Sequence, residues 1–402
     1  MMQQGIVRGR NETSAKSLWP FMGAAFCGKL TVNTAKRMMY PFAPAIARGL
    51  GVDLGAVTAV IALNQASSLA APLVVMLSGR IGYRLLLLYA LMLFCIAMTA
   101  AGLIPVYGIV MAAFLVTGLS KSIIDPVFQA IAGTLVPFEK RGRAIGIMET
   151  AWAGSSLAGL PLTGILIERL GWQAPFWLFA ALSLACFYAV LSLLPRDMPK
   201  TKVPRNRQGK RSLLPETWKT VLKEPAARQM MLFAFFICLA NDNLFVVYGI
   251  WFEHSFNLSL TAIGFGAVLI GLSEVAGEMF TVFFSDRIGL KRTIISGTLA
   301  VSLCYCLLIW TGNFLWPALI SLFMVFFTFE FTIVSSMGLA TELLPQHRAS
   351  FLSLYFASTG IGRLVGVISG SFLWEHAGLE GVCILSGTVS LLGLLALLKR
   401  PG

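Results

Sequence analysis

Charge is scarce in this sequence. Only 12% of its 402 residues are Asp, Glu, Lys or Arg, where soluble domains carry roughly a quarter. With 57% hydrophobic residues and a mean hydropathy of +0.79, that scarcity excludes an ordinary soluble domain and points to a membrane protein. Histidine is rarer still. His254, His347 and His376 sit near the ends of apolar runs and form no ligand cluster. The seven cysteines show no CxxC or zinc spacing and all lie in apolar runs, so neither a metal site nor a disulfide framework is expected. There is no P-loop, no HExxH and no nucleophile elbow, which excludes the common enzyme chemistries and leaves no expected cofactor. The opening stretch "MMQQGIVRGRNETSAK" is polar, so no cleaved signal peptide is expected.

What is present is a series of long apolar runs. A membrane helix needs about 20 mostly apolar residues. Twelve runs qualify, near 18–46, 54–78, 84–103, 107–135, 143–168, 173–194, 229–252, 260–284, 293–311, 314–340, 349–373 and 379–398. The net charge of +13 would suggest nucleic acid in a soluble protein. Here 24 of the 31 Lys and Arg residues lie in the N-terminus, the tail and the loops after even-numbered runs, and two (Arg48, Arg169) lie in odd-numbered loops. Cytoplasmic loops collect Lys and Arg, so both termini are expected in the cytoplasm, and nucleic acid is not an expected partner. The polar stretch 196–228 divides the chain into a six-helix bundle over 1–195 and another over 229–402. Within it "LPETWKTVLKE" is expected to form a short interfacial helix, and its basic residues suit contact with anionic lipids.

The two parts echo each other. "GRIGYR" at 79–84 matches "DRIGLKR" at 286–292, and "TLVPFEKRGRA" matches "ELLPQHRA". A six-plus-six repeat places substrate between the halves in transporter folds. Over its whole length the chain resembles the major facilitator superfamily of secondary transporters. "SDRIGLKR" is similar to that family's loop signature, which implies a gating role for Asp286, Arg287, Gly289 and Arg292; the first copy has Gly79 where the signature has Asp. "GSSLAGLPLTG" (Gly154–Gly164) loosely resembles the Gly/Pro signature of the drug–proton antiporters, with Leu160 where a Gly usually precedes the Pro. The resemblance implies an all-α membrane fold of twelve transmembrane helices, with the first, fourth, seventh and tenth lining a central cavity, and a monomer in lipid. The glycine spacing Gly362, Gly366, Gly370 reads as close helix packing.

Ionisable residues inside membrane spans are costly and mark cavities or one another. The stretch "GKLTVNTAKRMMY" puts Lys29, Asn33, Lys36 and Tyr40 on one helical face, with Arg37 on its flank. Other interior charges are Lys121, Asp125, Glu149, Asp242, Glu274, Glu278, Glu330 and Arg363. They form a band roughly 10–25 Å deep. The N-terminal half contributes four cations and two acids, the C-terminal half one cation and four acids. Expected substrate contacts are Lys29, Asn33, Lys36, Arg37, Tyr40, Lys121, Asn241, Asp242, Asn243 and Arg363. Expected proton carriers are Asp125, Glu149, Glu274 and Glu330, because a coupled carrier needs an acid able to become neutral. One reading has Lys36 or Arg37 closing on Asp242 or Glu330 as an interdomain lock. The other has the cations capturing an anionic or zwitterionic solute in a proton-coupled carrier of the inner membrane. A polyspecific drug or metallophore exporter is the alternative in the same class. A sensor or lipid-handling protein is the alternative outside it.

Overall fold

The structure, a computed structural model, describes residues 2–67, 81–135, 147–194, 215–344 and 348–399. Among the described residues every regular element is helical. We label the long segments α1 (Met2–Leu50), α2 (Leu54–Ala66), α3 (Tyr83–Leu103), α4 (Tyr107–Leu135), α5 (Ile147–Leu170) and α6 (Ala174–Leu193). They continue as α7 (Pro225–Phe256), α8 (Leu260–Ser285), α9 (Leu290–Thr311) and α10 (Leu315–Leu343). A final helix, Arg348–Leu398, breaks at Gly378 (φ 59°), giving α11 (348–377) and α12 (379–398). The expected short helix in the linker is present as Pro215–Lys223, while 196–214 lies outside the described residues, as do Gly79, "PFEKRGRA" and "PQH" of the repeat motifs.

Nine helices among the described residues are long and apolar enough to cross a membrane. The run from α11 into α12 counts once in that nine, and α1 and α2 are not in it. Only 13 residues of α2 are described as helix. In α1 the polar stripe lowers hydropathy, and partner helices must supply what lipid cannot.

Two local breaks shape the middle of the bundle. α5 contains a π-helical turn at Ser155–Gly159, inside the Gly/Pro motif, and such turns are frequent at functional sites. α7 is interrupted at Val246–Val247, between the segments Pro225–Phe245 and Tyr248–Phe256.

The glycine spacing of α11 does what close packing requires. A Cβ on Gly362, Gly366 or Gly370 would meet the carbonyl oxygens of Phe235, Leu239 and Asn243 on α7 at 2.3, 2.5 and 2.3 Å. Direct helix–helix approach of this kind supplies the van der Waals contact that drives association in lipid.

The end of α1 meets the end of α7, and the end of α5 meets the start of α8; we call the face that carries these ends the odd-loop face. At that face α1–α6 meet α7–α12 in three places: Arg48 on α1 pairs with Glu253 on α7 at 2.8 Å, Thr58 on α2 bonds Ser371 on α11 at 3.0 Å, and the backbone N–H of Thr261 on α8 donates to Glu168 on α5 at 2.7 Å.

Candidate functional site

Lys36 is the one residue between Thr31 and Ala47 that is not buried. Its ammonium makes no hydrogen bond or ion pair among the described residues. It lies in the electrostatic field of Lys121, Arg363, Asp242 and Asp125, each of which has a partner. Lys121 reaches Asp125 at 2.6 Å and Asn33 Oδ1 at 2.5 Å. Arg363 approaches Asp242 to 3.2 Å. Among the described residues Lys36 is thus the cation of α1 without a partner, near paired ones from α4 and α11.

The remaining charges sort into tiers along the helix axes. Furthest from the odd-loop face, Lys29 binds Glu149 at 2.6 Å and lies 3.5 Å from Asp125. Gln129 also donates to Glu149, at 2.9 Å, and the Glu149 side chain keeps 49% of its exposure. In the middle tier Arg37 makes a two-pronged pair with Glu274 on α8, at 2.8 and 3.0 Å, with both residues buried. The guanidinium lies 4.5 Å from the Trp152 ring centre and 5.5 Å from that of Phe245. Planar bidentate geometry and aromatic faces suit Arg far better than Lys. Lys121 meets the same indole at 5.0 Å. Nearest the odd-loop face, Tyr40 donates to Asp242 at 3.1 Å and receives a hydrogen bond from Gln65, whose amide also reaches Asp242 at 3.4 Å. Tyr40 stacks on Phe245 at 4.3 Å, and Phe245 on Tyr248 at 5.4 Å, forming an aromatic plug between α1 and α7. On the other side of Arg37–Glu274 no hydrogen bond or ion pair among the described residues joins α1–α6 to α7–α12. The described polar ties between α1–α6 and α7–α12 therefore lie at Arg37–Glu274 and toward the odd-loop end.

The expected site residues do not all converge. Lys29, Asn33, Lys36, Arg37, Tyr40, Lys121, Asp125, Glu149, Asp242, Glu274 and Arg363 belong to one connected band. Asn243 does not: its amide is spent on Val382 O and Ser386 Oγ, each at 2.9 Å, and its carbonyl accepts from Ser369 at 3.1 Å. It ties α7 to α11 and α12 and has nothing left for a solute. Asn241 is buried with Oδ1 unpartnered, as Nδ2 of Asn33 is. In place of the expected lock between Lys36 or Arg37 and Asp242 or Glu330, Arg37 pairs with Glu274 on α8 and meets α7 through the Phe245 ring. Two of the expected proton carriers have a cation beside them. Glu149 finds its cation on another helix, Lys29, and Glu274 is held by Arg37. Glu330 keeps its distinction, with no hydrogen bond or ion pair among the described residues; Gly277 of α8 abuts it closely enough that a Cβ there would stand 2.7 Å from the Glu330 Cβ. Arg287 and Arg292 of the loop signature are exposed, Gly289 has φ 90°, and the Asp286 side chain lies outside the described set. Among the described residues no group of His, Cys, Asp and Glu could hold a metal ion. All seven cysteines are free, with Cys27 and Cys306 exposed, not buried.

Sequence reasoning offers Trp152 as a cavity-surface aromatic and Gln65 as an amide marking packing or cavity, and passes over Glu168 altogether. Gln65 carried a signal, an amide inside an apolar run. Glu168 follows Gly164 by four residues on one helical face, which was legible only with the facing helix in view.

A helical bundle with a charged band buried at its middle suits a protein that moves polar solutes across a membrane. The chain matches the Major Facilitator Superfamily over residues 25–240 and 230–402, and it belongs to that family. It is 24% identical over 300 residues to the uncharacterized MFS-type transporter YceJ of Bacillus subtilis, covering 74% of this chain and 75% of that one. It is 30% identical over 165 residues to the chloramphenicol resistance protein of Streptomyces lividans, covering 41% of this chain and 42% of that one. Among solved structures, the nucleoside transporter NupG superposes with a TM-score of 0.76 at 13% identity, covering 94% of this chain and all of that one. A peptide transporter POT in complex with alafosfalin gives the same TM-score and identity, over 95% and 93% of the two chains. At such identities these structures speak for the fold alone.

Proposed function

We propose that this chain is a proton-coupled carrier that moves a small anionic or zwitterionic organic solute by alternating access. In this reading twelve helices cross a bacterial inner membrane as two six-helix bundles, over 1–195 and 229–402, joined by the linker 196–228. Both termini lie in the cytoplasm, which makes the even-loop face cytoplasmic and puts the ties Arg48–Glu253, Thr58–Ser371 and Glu168–Thr261 at the opposite face. The observation that carries the reading is Lys36: an unpaired cation, alone uncovered on its stretch of α1, inside a band where the neighbouring cations are paired. An unpaired charge at membrane depth is costly, and a solute's carboxylate or phosphate relieves that cost. Glu330 and Glu278 are the acids of the band without a hydrogen bond or ion pair among the described residues, and Glu330 is assigned the proton.

The test is a thermal-shift screen of the detergent-purified protein against anionic, zwitterionic and cationic metabolites and drugs, with Lys36→Ala beside it. Stabilisation by an acid or zwitterion that disappears in Lys36→Ala is the expected result. Stabilisation by lipophilic cations alone would overturn the anion reading. It would favour a polyspecific drug exporter, the alternative supported by the α5 motif and the likeness to the chloramphenicol resistance protein.

A further inference from the structure

We propose that Glu168 is a gate-positioning residue: its carboxylate caps the N-terminus of α8 from across the bundle and holds the odd-loop end shut. The first four N–H groups of a helix have no partner within it, and a carboxylate there is favoured by both hydrogen bonding and the helix dipole. α8 meets this need only in part by itself. Ser259 accepts from Ala262 N at 3.2 Å, but the first turn of α8 contains no acidic residue. Glu168 of α5 supplies it, accepting from Thr261 N at 2.7 Å.

The approach that makes this reach possible is written in the same face of α5. Leu160, Gly164 and Glu168 lie four residues apart, on one stripe. A Cβ on Gly164 would stand 2.7 Å from Leu260 O and 3.4 Å from Gly264 Cα. One on Gly264 would stand 2.9 Å from Leu160 O. Two backbones in such contact carry the carboxylate to the helix end one turn further on. The bond joins α1–α6 to α7–α12, so it cannot survive a rocking motion that parts them at this face. Glu168 touches none of the charged band, and its role is to set the balance between closed and open odd-loop ends.

This rests on the alternating-access reading, and the experiment separates the two. Hydrogen–deuterium exchange by mass spectrometry is run on the full chain in nanodiscs, without solute, for the parent, Glu168→Ala, Glu168→Gln and Gly249→Ala. The last is a wedge, since a Cβ there would stand 2.3 Å from Pro41 O where α1 crosses α7. The expected result for Glu168→Ala is several-fold faster exchange at the odd-loop ends of α1, α7, α2 and α11, which Glu168 does not touch, with Glu168→Gln intermediate because it keeps an acceptor. Faster exchange confined to the start of α8 would mean a local cap only and overturns the proposal. So does an unchanged pattern in the two Glu168 variants while Gly249→Ala opens the face. If Gly249→Ala too leaves the odd-loop ends unchanged, the face does not open at all and the alternating-access reading falls with the proposal.

Discussion

Lys36 and Arg37 are adjacent, alike in charge, and opposite in consequence. Lys36 has no partner to abandon, so Lys36→Ala is expected to leave the melting temperature within a few degrees of the parent while removing solute-induced stabilisation. Arg37 is different. Its removal leaves Glu274 buried and uncompensated, and breaking a buried pair from one side costs about 3–5 kcal/mol. Arg37→Ala is therefore expected to unfold well below Lys36→Ala in a thermal melt. The double variant Arg37→Met with Glu274→Met should recover most of the loss, because a buried pair exchanged for apolar groups of similar volume is near neutral. A double variant no more stable than Arg37→Ala would show that the pair is not the source of the penalty. The sequence marked both residues as a polar stripe. Which of the two was free depended on α8 facing Arg37, and helical spacing on α1 alone carries no information about that.

At the scale of the helices, a close backbone approach between α1 and α7 adds to the aromatic and polar side-chain contacts that join them. Gly249 lies just past the break in α7, against the carbonyl of Pro41. Gly249→Ala is expected to push the odd-loop ends apart, whereas Gly55→Ala meets only Asp53 Oδ1 at 3.6 Å and should be silent. Comparing exchange rates at 250–257 in the two variants checks this. Most helices were legible because membrane helices leave a long apolar trace that needs no partner to be recognised. The break at Val246–Val247 and the π-turn at Ser155–Gly159 were not, since both arise from packing across the bundle. The packing role of Gly362, Gly366 and Gly370 was legible from their spacing, while the identity of the helix they pack on was not. Asn243 failed in the opposite way: beside Asp242 in sequence, it points a different way around the helix and spends its hydrogen bonds on α11 and α12.

For the whole molecule, the opposite signs of the two groups of helices turn out to be largely neutralised in pairs. Lys29 with Glu149, Lys121 with Asp125, Arg37 with Glu274 and Arg363 with Asp242 leave Lys36 as the unpaired cation of the band and Glu330 and Glu278 as acids without an ion pair among the described residues. Coupling is expected to run through Glu330. Glu330→Gln in proteoliposomes should keep solute exchange down its own gradient and lose the acceleration given by an imposed pH gradient. Unchanged acceleration would remove Glu330 as the proton carrier. The pairing also bears on how the chain is made. α1 is synthesised before α4, α5 and α8, falls outside the nine apolar spans found among the described residues, and carries Lys29, Lys36 and Arg37 into the proposed bundle. Each such cation costs about 2.5–3.5 kcal/mol at the centre of a helix entering the bilayer through the translocon. The counter-ions that relieve Lys29 and Arg37 are Asp125, Glu149 and Glu274, and they leave the ribosome roughly 100–240 residues later. The nascent chain must therefore keep its first helix at the edge of the membrane, or sheltered by the insertion machinery, until α4, α5 and finally α8 arrive to receive it.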